Sequence, residues 1–270
     1  MFTYLMENQD EALRLTVKTD KSALIRQAVW AGIRPGMRVA DIGCGAGVTS
    51  SYLYDLVWPG GSVTGVDASQ ERIEHARGNY EKEGLDFVCH DFHRDLKGLG
   101  AFDFIWVRFV LEYNRSESFG IVRNLAEILK PGGILCLIDL DYNCLSHFGL
   151  SQRLEKNVQG VIKTLEEKAD FDPYVGRKLY SFLYDLGFED IDVQIKPHHL
   201  FFGHVSEKDR FNWMKKLEVA ARNSGWAFED YEDGFDGFHQ EFETFFADPR
   251  RFTYTPMISC RGCRPKIERP

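Results

Sequence analysis

The sequence predicts an α/β protein with a doubly wound, mostly parallel sheet, helices on both faces and a helical insertion before an antiparallel last strand. Two observations predict this fold class. Between residues 37 and 140, short β-branched segments alternate with longer segments of helical periodicity, which is typical of parallel strands joined by crossover helices. Farther along, two strand-like segments are separated by residues 197–250, a connection much too long for a hairpin loop.

The alternating region contains five predicted strands, at residues 37–42, 62–67, 85–90, 102–107 and 134–140. Ser69 is placed to cap a helix that runs through Glu83. A second helix begins near Ser116, and Pro131-Gly132-Gly133 is expected to end it. Because crossover connections are right-handed, ligands of such sheets bind at the carboxyl ends of the strands. The loops that follow the strands are therefore the candidate functional site.

Further elements flank this region. An amphipathic helix is predicted at residues 20–31, within an N-terminal helical cap of residues 1–33. Helices are also predicted at residues 151–168, 174–186, 206–223 and 233–247, and strands at residues 188–196 and 252–259. The predicted division is a ligand-binding domain of residues 34–196 and 251–263, with residues 197–250 as an inserted lid over the site.

Composition limits the classes of function. The 270 residues include 33 Lys and Arg against 41 Asp and Glu, a net charge of −8, which argues against a nucleic-acid partner. No segment has the roughly 20 apolar residues that span a membrane, and the first residues show neither a basic leader nor an apolar run. We therefore expect a cytoplasmic protein without a membrane partner. Six scattered cysteines do not form a secreted disulfide framework, so reduced thiols are expected.

A glycine-rich loop follows the first predicted strand. Gly43, Gly45 and Gly47 occupy alternate positions, and only residues without a side chain allow a ligand to approach a backbone so closely. The dinucleotide-binding pattern would require glycine at position 48, where the chain has Val48, and the Gly-Lys-Ser/Thr of a phosphate loop is absent. The carboxylate of Asp41 would repel a pyrophosphate but attract an ammonium group. A nicotinamide oxidoreductase is therefore disfavoured.

These residues resemble the class I S-adenosylmethionine-dependent methyltransferases, whose first motif has the form Asp-x-Gly-x-Gly-x-Gly. The resemblance extends over residues 34–141, including the fourth strand and Leu129-Lys130-Pro131-Gly132-Gly133. It implies a Rossmann-like fold and S-adenosylmethionine as cofactor, with S-adenosylhomocysteine as product. It also implies that Asp67 holds the ribose hydroxyls and that Asp91 accepts from the adenine amino group beside Phe92. The implied cofactor-binding residues are Asp41, Gly43, Cys44, Gly45, Gly47, Asp67, Ala68, Asp91, Phe92 and Arg108.

Two of these assignments have simpler alternatives. Asp67 also lies where a helix cap is expected, although Ser69 competes for that role. Asp91 is followed by His93, Arg94 and Asp95, and these side chains are also typical of a solvated surface cluster.

Methyl transfer from a sulfonium requires alignment and exclusion of water, but no particular catalytic side chain. A phenol, amine or activated carbon as acceptor would benefit from a positioned base. Candidates follow the fourth and fifth strands and open the insertion, although a hydrogen-bonded loop residue is the simpler interpretation of each. They are Tyr113, Asp141, Tyr142, Asn143, His147, His198 and His199.

The insertion is rich in aromatic residues. Phe235, Phe238, Phe242 and Phe245 are spaced three and four apart, which predicts one apolar stripe on a helix. The stripe indicates either a helix docked on the domain or a lid over an aromatic-lined pocket. The second interpretation predicts a small, apolar or aromatic acceptor.

Several alternatives remain open. Val107-Arg108-Phe109-Val110 stands where nucleic-acid-methylating enzymes carry their Asn/Asp-Pro-Pro-Tyr/Phe signature, so no nucleic-acid substrate is expected. Cys260-x-x-Cys263 has zinc spacing, but no second close pair would complete a site, and no metal is predicted. Together with Cys144, this pair would suit an arsenite-type acceptor. The chain is also compatible with a non-catalytic or sensory protein that binds S-adenosylmethionine or S-adenosylhomocysteine. We expect a monomer or a homodimer.

Overall fold

A computed structural model describes residues 20–266 of the chain; residues 1–19, the larger part of the predicted N-terminal cap, lie outside the described residues. The described strands are β1 Arg38–Ile42, β2 Ser62–Asp67, β3 Leu85–Cys89, β4 Phe102–Arg108, β5 Leu129–Leu140, β6 His147–Phe148, β7 Glu189–Phe201 and β8 Phe252–Cys263. They form one sheet in which β3, β2, β1, β4, β5 and β8 are neighbours in that order. Strand β8 also pairs with β7 and, at its start, with β6.

The first five strands are parallel to one another, whereas β8 runs antiparallel to both β5 and β7. The predicted fold class is confirmed. The described helices are α1 Lys21–Ala31, α2 Val48–Val57, α3 Gln70–Tyr80, α4 Ser118–Glu127, α5 Gln152–Lys168, α6 Leu179–Asp185, α7 Glu207–Ser224 and α8 Phe235–Ala247.

Four of these helices begin at a side-chain cap. The carboxylate or hydroxyl of the capping residue accepts a hydrogen bond from a backbone N–H in the first turn, which satisfies one of the otherwise unpaired donors of a helix start. Ser69 caps α3 in this way, as predicted. The other capping residues are Asp20, Ser151 and Ser206.

Helices cover both faces of the sheet. Leu24 of α1, Leu53 of α2 and Ile73 of α3 are buried in one hydrophobic cluster with one face. Ile121 of α4 and Leu183 of α6 are buried in a second cluster with the other face. Burial of both faces explains why the parallel strands are almost continuously apolar.

A third hydrophobic cluster lies outside the sheet, in the three helices α5, α7 and α8, which we call the helical subdomain. Phe238 and Phe242 of the predicted stripe are almost fully buried there against Val158 and Leu165 of α5. Trp213 of α7 belongs to the same cluster. The stripe therefore fills the core of the helical subdomain, and the described stripe residues are not a pocket wall.

Several boundaries differ from the predicted ones, among them the end of α3 at Tyr80 rather than Glu83 and the end of β8 at Cys263 rather than residue 259. Strand β5 begins at Leu129 rather than residue 134, and α4 already ends at Glu127, so Pro131-Gly132-Gly133 lies inside the strand. The Gly132 N–H donates to the Arg264 carbonyl, and the register against β4 shifts at this point, as in a β-bulge. Strand β7 continues to residue 201 because it pairs with the first half of β8. A 3₁₀ turn precedes α6.

Within residues 20–266, no helix is both long enough and apolar enough to cross a membrane.

Candidate functional site

The glycine loop joins β1 to α2 at the carboxyl end of the sheet. Gly43, Gly45 and Gly47 have φ values of 71°, 54° and 88°, in the left-handed region that favours glycine. The N–H groups of Gly43 and Cys44 donate to the carbonyl of Val66, which fixes the loop against β2. The glycine-rich loop predicted after the first strand therefore forms a tight turn between β1 and α2.

The end of β2 supports the same loop through Asp67. This carboxylate is 6% exposed and accepts from the N–H groups of Gly45 and Ser69, each at 2.9 Å. Arg72 lies 3.8 Å from its Oδ1 atom. A carboxylate has about four lone-pair positions, so two backbone donors leave acceptor capacity for a ligand's hydroxyl groups. Ser69 takes the competing cap role, because its hydroxyl oxygen accepts from the backbone N–H of Arg72.

Asp41 lies beneath the loop and is 2% exposed. Burial raises its pKa to about 7, and this rise is opposed by the hydroxyl of Ser50, which donates at 2.6 Å, and by the charge of Arg108. Burial lowers the pKa of Arg108 to about 10, opposed by the charges of Asp41 and Asp139. The Arg108 guanidinium lies 4.1 Å from the ring centre of Phe109. These charges form a buried electrostatic group beside the glycine loop.

Asp91 follows β3 and is engaged by its own neighbours. It accepts from the backbone N–H of His93 at 3.0 Å and lies 2.7 Å from the Nδ1 atom of that ring. Arg94 is 3.4 Å from its other oxygen. Partial burial raises the pKa of Asp91, but the hydrogen bonds and charges of His93 and Arg94 bring it below its ordinary value. The predicted polar cluster is thus present, and Phe92 packs against the hydrophobic core beside it.

Most of the candidate catalytic residues after β4 and β5 already form hydrogen bonds or ring contacts with other side chains. Asp141 forms a bidentate pair with Arg177 at 2.8 and 2.9 Å, and Arg177 also lies over the ring of Tyr142. Asn143 is buried; it donates to Glu112 at 2.6 Å and accepts from Lys216 of α7 at 2.8 Å. The ring of Tyr113 packs against Phe171.

His147 lies half-buried between the helical subdomain and β8. Its Nδ1 atom is 2.9 Å from the hydroxyl of Thr253 and its Nε2 atom is 3.1 Å from the carbonyl of Cys144. A carbonyl only accepts, so Nε2 carries the hydrogen and Nδ1 accepts from the hydroxyl. Three aromatic rings surround it edge-on. Both nitrogens are thus used in holding the fold.

This placement predicts a pH-dependent stability. Burial lowers the pKa of His147 from 6.5 to about 4. The native state therefore binds the proton less readily than the unfolded chain. The contribution of His147 to the free energy of unfolding is present above pH 6.5 and is lost as the pH falls towards 4, by about 3 kcal/mol at most. We expect His147→Gln to be less stable at neutral pH and to show a flatter pH dependence in urea unfolding.

The matched control for that measurement is His75→Gln, because His75 is exposed on α3. Its unfolding curves should keep the slope of the unmodified protein between about pH 6.5 and 4. An unchanged slope in His147→Gln would contradict the assignment of this acid sensitivity to His147.

A β-bulge brings two histidines towards the carboxyl edge of the sheet. The pairing of β7 with β8 shifts register between Pro197 and His199, so His198 is the extra residue. The ring of His198 lies edge-on to Phe109 after β4, at 5.0 Å between centres. The ring of His199 lies 4.7 Å from Trp213 of α7. The bulge thus places both rings between the domain core and the helical subdomain.

Sequence reasoning missed several residues that support this region. Asp139 is 1% exposed and accepts from the backbone N–H groups of Leu111 and Glu112, which fixes the turn after β4. Burial and the neighbouring Glu112 raise the pKa of Asp139 well above its ordinary range. An acid inside an apolar strand was the available signal for Asp139. Lys216 carries no comparable signal, because a lysine on a helix is ordinarily a surface residue.

The thiols do not converge on one site. Cys144 follows β5, whereas Cys263 pairs with Ile134 near the opposite end of that strand. Cys260 is buried in the core, and burial raises its pKa to about 12, which disfavours the thiolate that binds metals or arsenic. In residues 20–266, no three His, Cys, Asp or Glu side chains are grouped to hold a metal ion. The geometry therefore disfavours an arsenite-type acceptor.

The segment that contains the glycine loop resembles known proteins. The methyltransferase domain family matches residues 39–133. An Aspergillus clavatus polyketide synthase-nonribosomal peptide synthetase is 31% identical over 174 residues, 61% of this chain and 4% of that protein. The ubiquinone biosynthesis O-methyltransferase of Caulobacter vibrioides is 32% identical over 109 residues, 39% of this chain and 42% of that protein. The chain thus spans less than half the length of these relatives.

Solved structures extend the likeness in fold. A Bacillus halodurans protein assigned as a methyltransferase aligns with a TM-score of 0.58 and 16% identity, covering 90% of this chain and 99% of that one. Haemonchus contortus phosphoethanolamine N-methyltransferase 2, solved with S-adenosylhomocysteine, aligns with a TM-score of 0.54 and 14% identity, covering 91% and 52%. A second structure of that enzyme contains S-adenosylmethionine. Together with the glycine loop, these matches confirm the predicted resemblance: residues 39–133 match the methyltransferase domain family, and a structural neighbour of the same fold binds S-adenosylmethionine and S-adenosylhomocysteine.

Proposed function

We propose that this protein binds S-adenosylmethionine at the glycine loop and transfers its methyl group to a small, apolar or aromatic acceptor. The observation that carries the proposal is the Gly45–Asp67 hydrogen bond, which fixes a side-chain-free loop beside a buried carboxylate with acceptor capacity left. Asp67 would hold the ribose hydroxyls, and Asp91, through its Oδ2 atom, the adenine amino group beside Phe92. The remaining implied contacts are those of Gly43, Cys44, Gly47 and Ala68.

Asp41 and Arg108 suit the methionine end of the same cofactor. The cofactor carries an ammonium, a carboxylate and a sulfonium, and Asp41 and Arg108 supply one charge of each sign beside the loop. When bound, the cofactor would supply an electrophilic methyl group, with the new bond to the acceptor atom replacing the carbon–sulfur bond and S-adenosylhomocysteine as the product. The protein aligns the two partners, excludes water and, for a protonated acceptor, takes up its proton.

The acceptor region that we propose lies between Phe109, the His198–His199 bulge and Trp213. Phe109 follows β4 directly and lies under Arg108, so it adjoins the cofactor side. Trp213 belongs to α7, so the helical subdomain would form the opposite wall of this region. Aromatic rings on three sides favour an apolar or aromatic acceptor, and imidazoles are suitable bases near neutral pH. Tyr113, Asp141 and Tyr142 stay candidates at the margin of this region.

Calorimetric titration with S-adenosylmethionine, S-adenosylhomocysteine and NAD at matched concentrations tests the cofactor proposal directly. We expect heat of binding with the two sulfur nucleosides and none with NAD, because the loop lacks the sixth-position glycine of dinucleotide sites. Binding of NAD alone would overturn the assignment of the glycine loop. A subsequent screen of phenols and other small aromatic acceptors, read by release of S-adenosylhomocysteine, tests the transfer step.

The base assignment makes a separate prediction. Replacing His198 or His199 with glutamine is expected to lower kcat by about 10²- to 10⁴-fold for whichever residue takes the acceptor proton. Affinity for S-adenosylmethionine should remain within about twofold, since neither ring is placed at the glycine loop. Steady-state kinetics with a fixed acceptor measures both quantities. His75→Gln again serves as the exposed control, and unchanged kcat in both histidine variants would remove the bulge from the mechanism.

The same fold also occurs in a protein with a different activity. A solved cyclase shares this fold, with a TM-score of 0.53 and 20% identity over 91% of this chain and 81% of that one. The fold alone therefore does not specify methyl transfer. Tight binding of S-adenosylmethionine without turnover across the acceptor screen would favour a non-catalytic or sensory cofactor-binding protein. Cytoplasmic location, a monomeric or homodimeric state and the role of residues 197–250 as a lid stay predictions.

A further inference from the structure

His93 bridges two loops on the described surface of the site. Its Nδ1 atom is 2.7 Å from Oδ1 of Asp91 in the loop after β3. Its Nε2 atom is 2.8 Å from Oδ1 of Asn114, which follows the turn after β4. One imidazole ring therefore connects the proposed adenine side of the cofactor site with the loop that leads to the acceptor region.

The orientation of Asn114 is fixed by a third contact. Its amide nitrogen donates to the carbonyl of Val110 at 2.7 Å, and because a carbonyl only accepts, the amide oxygen must face His93. Asp91 also accepts from the His93 backbone N–H, as an ionised carboxylate does. Both imidazole nitrogens consequently face acceptors, and only the doubly protonated ring donates to both.

The bridged loop also contacts the glycine loop. Val110 accepts a hydrogen bond from Asn114 through its carbonyl. Its side chain packs tightly on the glycine loop, because a Cβ added to Gly43 would lie only 2.3 Å from Cγ2 of Val110. Movement of the loop after β4 would therefore change both the packing of the glycine loop and the position of Phe109 at the acceptor side. A side chain that holds this loop in place affects cofactor binding without having to touch the cofactor.

We propose that His93, as an imidazolium between Asp91 and Asn114, is a positioning residue that ties the loop after β4 to the cofactor site. The inference rests on the proposed cofactor function and extends it, because it makes S-adenosylmethionine affinity depend on one residue outside the glycine motif. A ring that carries a hydrogen on only one nitrogen can donate to Asp91 or to Asn114 but not to both, which weakens the link between the two loops.

Other charged and polar groups face His93 from the elements around it. Asp91 and Arg94 lie on its own loop, and Asn124 of α4 approaches its backbone carbonyl at 3.5 Å. A cavity of about 320 Å³ adjoins the ring and is also lined by Asp95, Lys97 and Glu127, of which the last two pair with each other at 3.0 Å. Of these groups, Asp91 makes the direct charged contact with the ring.

The test is calorimetric titration of S-adenosylmethionine into the unmodified protein, His93→Gln and Asn114→Asp at several values between about pH 6 and pH 9. Each variant is compared with the unmodified protein at the same pH, so that the titration of the distant Asp41 cancels in the ratio of Kd values. His90→Gln is the matched control, because that neighbouring ring lies 3.0 Å from the carbonyl of Asp95 rather than from Asp91.

At the acid end we expect His93→Gln to bind about tenfold more weakly than the unmodified protein, with the ratio approaching one at the alkaline end. Asn114→Asp should bind more weakly than the unmodified protein at every pH, because an aspartate cannot donate to the Val110 carbonyl that fixes this loop. This second variant also tests the proposal independently of the folding of His93→Gln.

Three results would overturn the inference. One is a His93→Gln ratio that stays constant with pH, as a purely structural effect would give. Another is an Asn114→Asp profile that coincides with that of the unmodified protein. The third, absence of S-adenosylmethionine binding to the unmodified protein at every pH, would overturn the proposed function as well, whereas the first two leave it standing.

Discussion

Replacing Asp67 with alanine is expected to weaken S-adenosylmethionine binding by about 1–3 kcal/mol, roughly 5- to 150-fold in Kd. The substitution removes the proposed acceptor of the ribose hydroxyls. It also removes the acceptor of the Gly45 and Ser69 N–H groups, so the glycine loop loses its link to the end of β2. Both losses act on the same site, and isothermal titration with the cofactor measures their sum.

Two further variants separate these contributions. Asp67→Asn keeps the size of the side chain and one carbonyl acceptor but loses the charge, so it should bind more tightly than the alanine variant and more weakly than the unmodified protein. Asp86→Ala is the control, because Asp86 is exposed on the adjacent strand β3. Unchanged cofactor affinity in Asp67→Ala would eliminate the ribose assignment.

The sheet and the glycine loop were predictable because their signals are local. Parallel strands buried on both faces need apolar runs, and the turn at Gly43 needs positive φ, so each requirement appears directly in the residue types. Asp67 was predictable for the same reason: it stands at the end of a strand, in the position that faces the loop after β1. The helix caps, such as Ser69, are likewise read from neighbouring positions.

The rest depends on contacts between distant segments. Pro131-Gly132-Gly133 predicts the end of a helix, because proline and glycine are common just after helices. In the structure, the Gly132 N–H donates to the Arg264 carbonyl and the segment is a bulged part of β5. The histidine bulge at His198 arises from the register with β8, which local periodicity does not contain. His93 was interpreted as part of a surface cluster, since the sequence does not show that Asn114, 21 positions away, accepts from the same ring.

Substitution of Gly43 by alanine is expected to destabilise the fold by at least about 2 kcal/mol and to abolish measurable cofactor binding. The reason is twofold. Gly43 has φ of 71°, where an L-residue is strained, and an added Cβ would lie 2.3 Å from Cγ2 of Val110. Relief of that overlap would push the loop after β4 away from the glycine loop, and with it Phe109. Urea unfolding and cofactor titration measure the two effects.

Gly36 provides the control that separates strain from overlap. It has φ of 84°, but an added Cβ there meets nothing within 4 Å. Gly36→Ala should therefore cost roughly 1 kcal/mol, the cost of the left-handed conformation alone, and should leave cofactor affinity unchanged. If Gly43→Ala were no more destabilising than Gly36→Ala, the contact with Val110 would not limit the loop. The double variant Gly43→Ala/Val110→Ala is a further check. If the overlap with Val110 is the cause, this variant should regain part of the stability that Gly43→Ala loses, because the shorter side chain removes the Cγ2 atom.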